Sequence, residues 1–171
     1  MRRALAPLMF GMAVALAPPT LAGPAPRVSI ATLAQLQTPP PLPYDATRDA
    51  KADVATARAK ARAEHKLLLV DLGGNWCGDC RVLAGVLRLP EVAAFVDRNY
   101  VVVNVDVGRM NRNLDIPGRY GIKHLDGVPS LLVVDSHDKL RDAGHIAALA
   151  DARSMTPQAL ADWLARWTGP S

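Results

Sequence analysis

The sequence predicts an α/β fold in which helices cover both faces of a central mixed sheet of four to five strands. Apolar runs of strand length alternate with helical patterns along residues 45–168, which is the element order of an α/β domain. Strands joined through helices are expected to pair in parallel, and the last two predicted strands, joined by a short turn, form an antiparallel hairpin. The 171 residues, 50% of them hydrophobic, can bury one core, and nothing predicts a second folded domain.

Residues 1–22 have the pattern of an export signal peptide. Two arginines precede an apolar stretch, and Thr20-Leu21-Ala22, with small residues at its first and third positions, forms a cleavage site before Gly23. We therefore expect a periplasmic or secreted protein that begins at Gly23. An uncleaved anchor is the alternative, but the stretch is shorter than the roughly 20 residues that span a bilayer, so no stable membrane span is expected. Removing the signal lowers the formal charge from +4 to +2, which does not indicate nucleic-acid binding.

Residues 23–44 are predicted to be a proline-rich spacer. Six prolines favour an extended chain. The apolar piece within it, residues 28–36, is compatible with an edge strand or with a short helix. The folded domain is expected to begin near Asp45 and to comprise residues 45–171.

The first helix and strand of the domain are predicted from composition and spacing. Residues 45–65 contain no Pro or Gly and place small or apolar residues at helical spacing, which predicts a helix on one face of the sheet. Residues 66–72 are predicted to be a strand, because the apolar run at 67–70 is typical of a strand buried on both faces.

The remaining elements are predicted from apolar runs and from turn and capping residues. In order they are a helix from Cys77 that Pro90 breaks or kinks, a helix over 91–98, a strand over 100–107, a short helix within 118–122, a strand over 131–134 and an edge strand over 140–143. Thr156 as N-cap and Pro157 open the last helix, whose Trp163 and Trp167 are expected to lie in the core.

The only two cysteines of the chain lie in the segment Trp76-Cys77-Gly78-Asp79-Cys80, directly after a predicted strand and turn. Cys77 would stand at a helix N-terminus, where unpaired N–H groups and the helix dipole favour a thiolate, the form in which cysteine is a nucleophile. A structural disulfide that closes so small a loop would remove little chain entropy. The pattern therefore predicts redox chemistry.

Asp71 is the only charged residue within this predicted strand after its first position. One interpretation is that Asp71 lies beneath the cysteines with a raised pKa and relays a proton to or from Cys80. The other is an exposed aspartate that caps the turn at the end of the strand. The residues alone leave both open.

Residues 66–81, KLLLVDLGGNWCGDCR, resemble the active-site region of thioredoxin. The likeness continues at residues 119–122, at Gly127-Val128-Pro129-Ser130, which resembles the loop that carries a cis-proline, and at Gly144. It covers about residues 45–168 and implies a thioredoxin-like fold. The helix that precedes the first strand and residues 89–92 resemble exported members such as the C-terminal domain of the periplasmic thiol-disulfide interchange protein.

The resemblance implies a role for each matching residue. Cys77 is the attacking cysteine, Cys80 the resolving cysteine and Asp71 the buried acid. A cis-proline at Pro129 would expose the backbone of Val128 to an extended substrate segment. Together with Trp76, Gly78 and Asp79, these two residues form the expected substrate-binding surface.

Three departures from the thioredoxin pattern bear on the redox potential. Asp79 stands where thioredoxin has proline, Gly73-Gly74 replace an aromatic-alanine pair, and no lysine in the second strand pairs with Asp71. An anion at position 79 disfavours the thiolate and thus the reduced form. We therefore expect an exported thiol-disulfide oxidoreductase working in the reductase direction on protein or small-thiol disulfides, without a cofactor, as a monomer served by an unknown redox partner.

Two other functions remain open at this point. Cys77 and Cys80 could bind copper or another soft metal with one of the histidines His124, His137 and His145, although these have no motif spacing. A non-catalytic binding module with the same fold is the other alternative. It fits poorly with an intact cysteine pair, aspartate and proline.

Overall fold

The computed structural model describes residues 24–169. The predicted signal peptide, residues 1–22, lies outside the described residues. Within them, no helix has both the length and the apolar character needed to cross a membrane.

The described residues form five α-helices and three β-strands. They are α1 (Ala50–Ala63), β1 (Leu67–Gly73), α2 (Gly78–Leu87), α3 (Pro90–Asn99), β2 (Tyr100–Asp106), α4 (Asp115–Gly118), β3 (Ser130–Val134) and α5 (Pro157–Arg166). Two short 3-10 helices, Leu33–Gln35 and Ala152–Ser154, lie outside this framework.

The sheet is mixed, with β1 in the centre, parallel to β2 and antiparallel to β3. Successive residues of β1 point into two different core clusters, Leu68 and Val70 into one and Leu69 into the other. Helix α1 contributes to the first cluster, and helices α3 and α5 to the second. Burial on both faces explains the continuous apolar run of β1.

The prediction of four to five strands is wrong, because the described residues form a sheet of three strands. The predicted edge strand at 140–143 pairs only through a single bridge between Val134 and Leu140. At Val133, the residue of β3 just before this bridge, the backbone N–H donates to the Asp142 carboxylate, at 3.0 Å. A side chain thus occupies the place of a backbone carbonyl, and the ladder ends there.

Several helix boundaries differ from the prediction for local reasons. Helix α1 begins at Ala50 rather than near Asp45, because the Asp49 carboxylate accepts hydrogen bonds from the first-turn N–H groups. Of the two effects predicted for Pro90, the structure shows the break: α2 ends at Leu87, and Pro90 opens α3 at its first position, where the missing N–H costs nothing. The short helix predicted within 118–122 lies earlier, at Asp115–Gly118.

The last helix begins where predicted, with the Thr156 hydroxyl accepting from the N–H of Ala159. Trp163 is buried, and its ring lies 5.7 Å from that of Trp167. Both tryptophans belong to or pack against the second core cluster, as predicted.

Residues 24–44 lie against the domain. The N–H of Val28 donates to the side chain of Gln158 in α5, and the Leu36 side chain packs over Gly85 in α2. Arg81, also in α2, donates to the carbonyls of Pro40 and Pro41. The apolar piece of this segment contributes the 3-10 helix Leu33–Gln35 and no strand.

Candidate active site

The two cysteines lie on the first turn of α2, after the turn that follows β1. Cys77 is the N-cap of the helix, and its sulfur accepts a hydrogen bond from the backbone N–H of Cys80, at 3.2 Å. Both are free thiols, and Cys77 and Cys80 are 5% and 0% exposed. A negative charge on the Cys77 sulfur would therefore meet a backbone donor and the positive end of the helix dipole.

The loop before β3 brings Val128 and Pro129 to the first cysteine. The Cys77 thiol donates to the carbonyl of Val128 at 3.3 Å. The peptide bond between Val128 and Pro129 is cis, and both residues are buried. The structure thus places the predicted substrate-binding loop and the predicted nucleophile in direct contact.

Asp71 is fully buried in β1, where it pairs with Asn104 of β2 and Leu131 of β3. The alternative of an exposed aspartate at the strand end is therefore wrong. One carboxylate oxygen accepts a hydrogen bond from the Tyr44 hydroxyl at 2.8 Å, and the other has no hydrogen-bond partner in the part of the chain that the structure describes. Burial raises the pKa of Asp71 to about 7, against the opposing effect of the Tyr44 hydrogen bond.

Cys80 is shielded more completely than Cys77. Burial, followed by its interaction with the Cys77 side chain, raises the pKa of the Cys80 thiol far above its ordinary value. Cys80 is therefore a neutral thiol at physiological pH, and it must lose its proton at the moment it attacks another sulfur.

Tyr44, which belongs to the predicted spacer, was not among the predicted site residues. Asn75, in the turn before the cysteines, holds its backbone through two hydrogen bonds of 3.1 and 2.6 Å. A side chain at Gly73 would collide with the Tyr44 hydroxyl. The sequence signal for Tyr44 was Gly73, which stands where thioredoxin has an aromatic residue. Another side chain had to fill the space that this glycine leaves.

Trp76 forms the exposed wall of the site. Trp76 is 44% exposed, and its indole N–H donates to the carbonyl of Gly108 at 2.6 Å. The guanidinium of Arg109 lies 4.6 Å from the ring centroid, a cation–π arrangement. A fixed, half-exposed aromatic surface thus flanks the first cysteine.

Asp79 is buried and paired, contrary to the premise that it acts on the cysteines as a free anion. Arg153, in the 3-10 helix before α5, donates to both carboxylate oxygens through its guanidinium and also through its backbone N–H, at 2.5–3.1 Å. These bonds hold the pKa of Asp79 below its ordinary value. The guanidinium lies over Gly78 with room between them, because a Cβ added at Gly78 would be in ordinary van der Waals contact with it, at 3.6–3.8 Å. No sequence signal pointed to an arginine 74 residues downstream of Asp79.

Replacing Arg153 with alanine is expected to slow alkylation of Cys77 by iodoacetamide roughly fivefold at pH 7. The change leaves the Asp79 carboxylate unpaired near Cys77, and one such charge in a partly solvated site is worth about 1 kcal/mol. The double variant Arg153→Ala, Asp79→Asn should recover the wild-type rate, and Arg166→Ala, at an exposed position of α5, should not change it. A loss in the double variant equal to that in the single variant would show that Arg153 does not act through Asp79.

The histidines considered as metal ligands are not brought together with the cysteines. His124 pairs with Asp126 at 3.2 Å, and the His145 ring lies 5.7 Å from that of Trp167. Among residues 24–169, no group of three or more histidine, cysteine or acidic side chains is arranged to hold a metal ion.

Comparison with known proteins agrees with this architecture. The model of a family described as thioredoxin-like matches residues 49–136. Among solved structures, a disulphide isomerase from Xylella fastidiosa Temecula1 is 39% identical, with a TM-score of 0.68 over 74% of this chain and 96% of that one. A mutant thioredoxin from Halobacterium salinarum NRC-1 is 20% identical, with a TM-score of 0.41 over 75% of this chain and 91% of that one. No curated protein matches.

The family match spans more than half of the chain and includes β1, the cysteine pair and β3. It coincides with the part of the structure in which the central strand, the cysteine helix and the Val128–Pro129 loop meet. The chain therefore belongs to the thioredoxin-like family.

Proposed function

We propose that this protein is an exported thiol-disulfide oxidoreductase that reduces disulfides of proteins or small thiols through Cys77 and Cys80. The observation that carries the proposal is the pair of free sulfurs on one helical turn, with a backbone N–H directed at the first and a buried acid near the second. The signal pattern in residues 1–22 supports a periplasmic or secreted location.

The proposed reaction has two exchange steps. The Cys77 thiolate attacks one sulfur of the substrate disulfide, forming a mixed disulfide and releasing the other sulfur as a thiolate that takes up a proton. Cys80 then attacks the Cys77 sulfur, which frees the second substrate sulfur. The substrate gains two electrons and two protons, and the Cys77–Cys80 pair becomes a disulfide that a separate redox partner must reduce.

The substrate surface in this proposal consists of the residues around Cys77. Val128 and Pro129 lie on one side of the sulfur, and Trp76 provides an exposed apolar wall. Gly78 leaves space beneath the Arg153 guanidinium, and Asp79 holds that guanidinium in place. A protein substrate would approach along these groups.

Burial of the sulfurs supports the reductase direction. A site that disfavours thiolates destabilises the dithiol form relative to the disulfide, and so makes the pair a better reductant. The strongly raised pKa of Cys80 is an effect of this kind. The charge of Asp79, by contrast, is balanced by Arg153 and no longer argues for either direction.

We expect a reduction potential below about −200 mV, on the reducing side of protein disulfide isomerase. The measurement is the equilibrium of the pair with reduced and oxidised glutathione, followed by acid quenching and mass spectrometry. A value near the −120 mV of a strong oxidant would overturn the reductase direction but not disulfide exchange itself.

Disulfide isomerisation is a second candidate, because the 39% identical Xylella protein bears the name of a disulphide isomerase. In isomerisation a free thiol of the substrate itself releases Cys77, so Cys80 is not required. Rearrangement of a scrambled substrate that persists in Cys80→Ser would favour this function. Its loss together with reductase activity would favour the reductase.

A further inference from the structure

The Tyr44 hydroxyl lies between the buried carboxylate and the resolving cysteine. Tyr44 is 3% exposed, and its hydroxyl donates to Asp71 at 2.8 Å. A Cβ built on Gly73 would come within 2.8 Å of the Cys80 sulfur and closer still to the Tyr44 hydroxyl. The oxygen and the sulfur therefore border the same small space, which exists because residue 73 has no side chain.

This hydroxyl is equipped to pass a proton in one direction. A phenol oxygen can accept one hydrogen bond while it donates another. Burial, then the charge of Asp71, raises the pKa of Tyr44 far above its ordinary value, so the phenol remains protonated and donates to the carboxylate. Its oxygen lone pair is left for the Cys80 thiol.

Cys80 needs such a route because it is buried as a neutral thiol. It has 0% exposure, so solvent can reach its proton only when the site opens transiently. Among residues 24–169, Asp71 has no hydrogen-bond partner on its second oxygen, and Tyr44 is its only side-chain donor. A carboxylate whose pKa is about 7 can accept a proton at physiological pH.

We propose that Tyr44, carried into the site by the proline-rich segment, relays the proton of Cys80 to Asp71 during resolution of the mixed disulfide. The proposal rests on the proposed function and assigns a further residue to it. Tyr44 is a positioning and relay residue, not a nucleophile.

The relay balances within the second exchange step. The Cys80 sulfur forms a bond to the Cys77 sulfur, while the bond from Cys77 to the substrate sulfur breaks and the substrate leaves as a thiolate. The Cys80 proton moves to the Tyr44 oxygen as the phenol proton moves to Asp71. Tyr44 ends neutral and Asp71 ends protonated, and the substrate thiolate takes a proton from Asp71 or from water.

The test measures resolution alone. The reduced wild-type protein is mixed with the activated disulfide of glutathione and thionitrobenzoate, which loads glutathione onto Cys77. Acid quenching and intact-mass spectrometry then follow the first-order decay of this adduct from pH 6 to pH 9. Tyr44→Phe keeps the ring but removes the hydroxyl.

We expect adduct decay in Tyr44→Phe to be about tenfold slower at pH 8, less than the roughly hundredfold or more that a positioned acid–base group typically contributes, because hydroxide partly replaces the lost relay. The titratable groups that act on one another here are Tyr44, Asp71, Cys77 and Cys80. In the wild type the rate should level off above about pH 7, once Asp71 is ionised. In the variant it should keep rising with pH, because hydroxide must then remove the proton. A purely structural role would lower the rate equally at every pH.

Two further variants keep the test independent of one substitution. Gly73→Ala should slow resolution and also remove the plateau above about pH 7, because the added methyl enters the space that the Tyr44 hydroxyl shares with Cys80 and separates the two groups. Gly118→Ala, where the methyl meets nothing within 4 Å, is its control. Tyr100→Phe is the control for Tyr44→Phe, because Tyr100 is equally buried and its hydroxyl donates to the carbonyl of Leu164, at 2.6 Å. Both controls should resolve within twofold of the wild type.

The outcomes separate the relay from the proposed function. Unchanged decay with an unchanged plateau in Tyr44→Phe overturns the relay and leaves disulfide exchange intact. Failure of the wild type to form or resolve the adduct overturns the proposed function and the relay with it. Should Tyr44→Phe lose its circular dichroism signal, Gly73→Ala decides between these outcomes.

Discussion

Cys77→Ser should reduce model disulfides at least about a thousandfold more slowly than the wild type, because a serine hydroxyl is not ionised at neutral pH and is a far weaker nucleophile than a thiolate. At the start of α2, the Cys77 sulfur accepts a hydrogen bond from the N–H of Cys80. Turnover is followed as thiol release from a small disulfide substrate, with glutathione and its reductase regenerating the enzyme.

Cys80→Ser is the matched variant on the same helical turn. Its first attack on the disulfide should remain within about threefold of the wild-type rate. Turnover should then fall to the slow rate at which glutathione from solution releases the mixed disulfide, because the variant has no resolving thiol of its own. Circular dichroism establishes that both variants are folded. Substantial turnover by Cys77→Ser would show that Cys80, and not Cys77, is the attacking residue.

As the pH is raised from 4 to 8, the wild type should lose about 4 kcal/mol of unfolding free energy that Asp71→Asn does not lose. The difference in stability between the two proteins should therefore shift by about 4 kcal/mol in favour of the variant. Burial raises the pKa of Asp71 from 3.8 to about 7 in the folded protein. Between these pH values the folded state holds a proton that the unfolded chain has lost, so wild-type stability falls as the pH rises through this window. About three pKa units correspond to about 4 kcal/mol, and asparagine has no proton to lose.

Urea denaturation of the reduced protein at pH 4 and pH 8 gives this difference. Comparing the two pH values removes any constant cost of placing an amide in β1. Asp142, whose pKa burial raises to about 6, contributes equally to both proteins. Asp97→Asn, at an exposed position of α3, is the control and should show no pH-dependent gain. If the unfolding free energy of Asp71→Asn changed with pH no differently from that of this control, Asp71 would be ionised at little cost in the folded state.

The fold was predictable wherever local residues decide it. The apolar run of β1, the valine-rich β2 and the Thr156-Pro157 start of α5 were correct because periodicity, burial and capping act within a few residues. The edge strand failed because Asp142 reaches back to the N–H of Val133 and ends the ladder. That bond depends on how two segments pack against each other, and the strand propensities of single residues carry no information about such packing.

The candidate site was predictable in its motif but not in what surrounds it. Spacing placed Cys77 on a helix N-terminus, and the resemblance to thioredoxin placed Pro129 beside it, but neither located the partners of the two aspartates. Tyr44 reaches Asp71 from 27 residues upstream, and Arg153 reaches Asp79 from 74 residues downstream. Such long-range pairs come from packing. The sequence therefore did not indicate that Arg153 supplies a counter-charge to Asp79, which was expected to be a free anion.

The roles of the two cysteines are tested most directly by the intact mass of Cys80→Ser after incubation with oxidised glutathione. We expect one glutathione adduct, located on Cys77 by peptide mapping, while the wild type under the same conditions loses two hydrogens and retains no adduct. An unmodified Cys80→Ser protein, or a wild type that keeps its glutathione, would contradict the assignment of Cys77 as the attacking and Cys80 as the resolving sulfur.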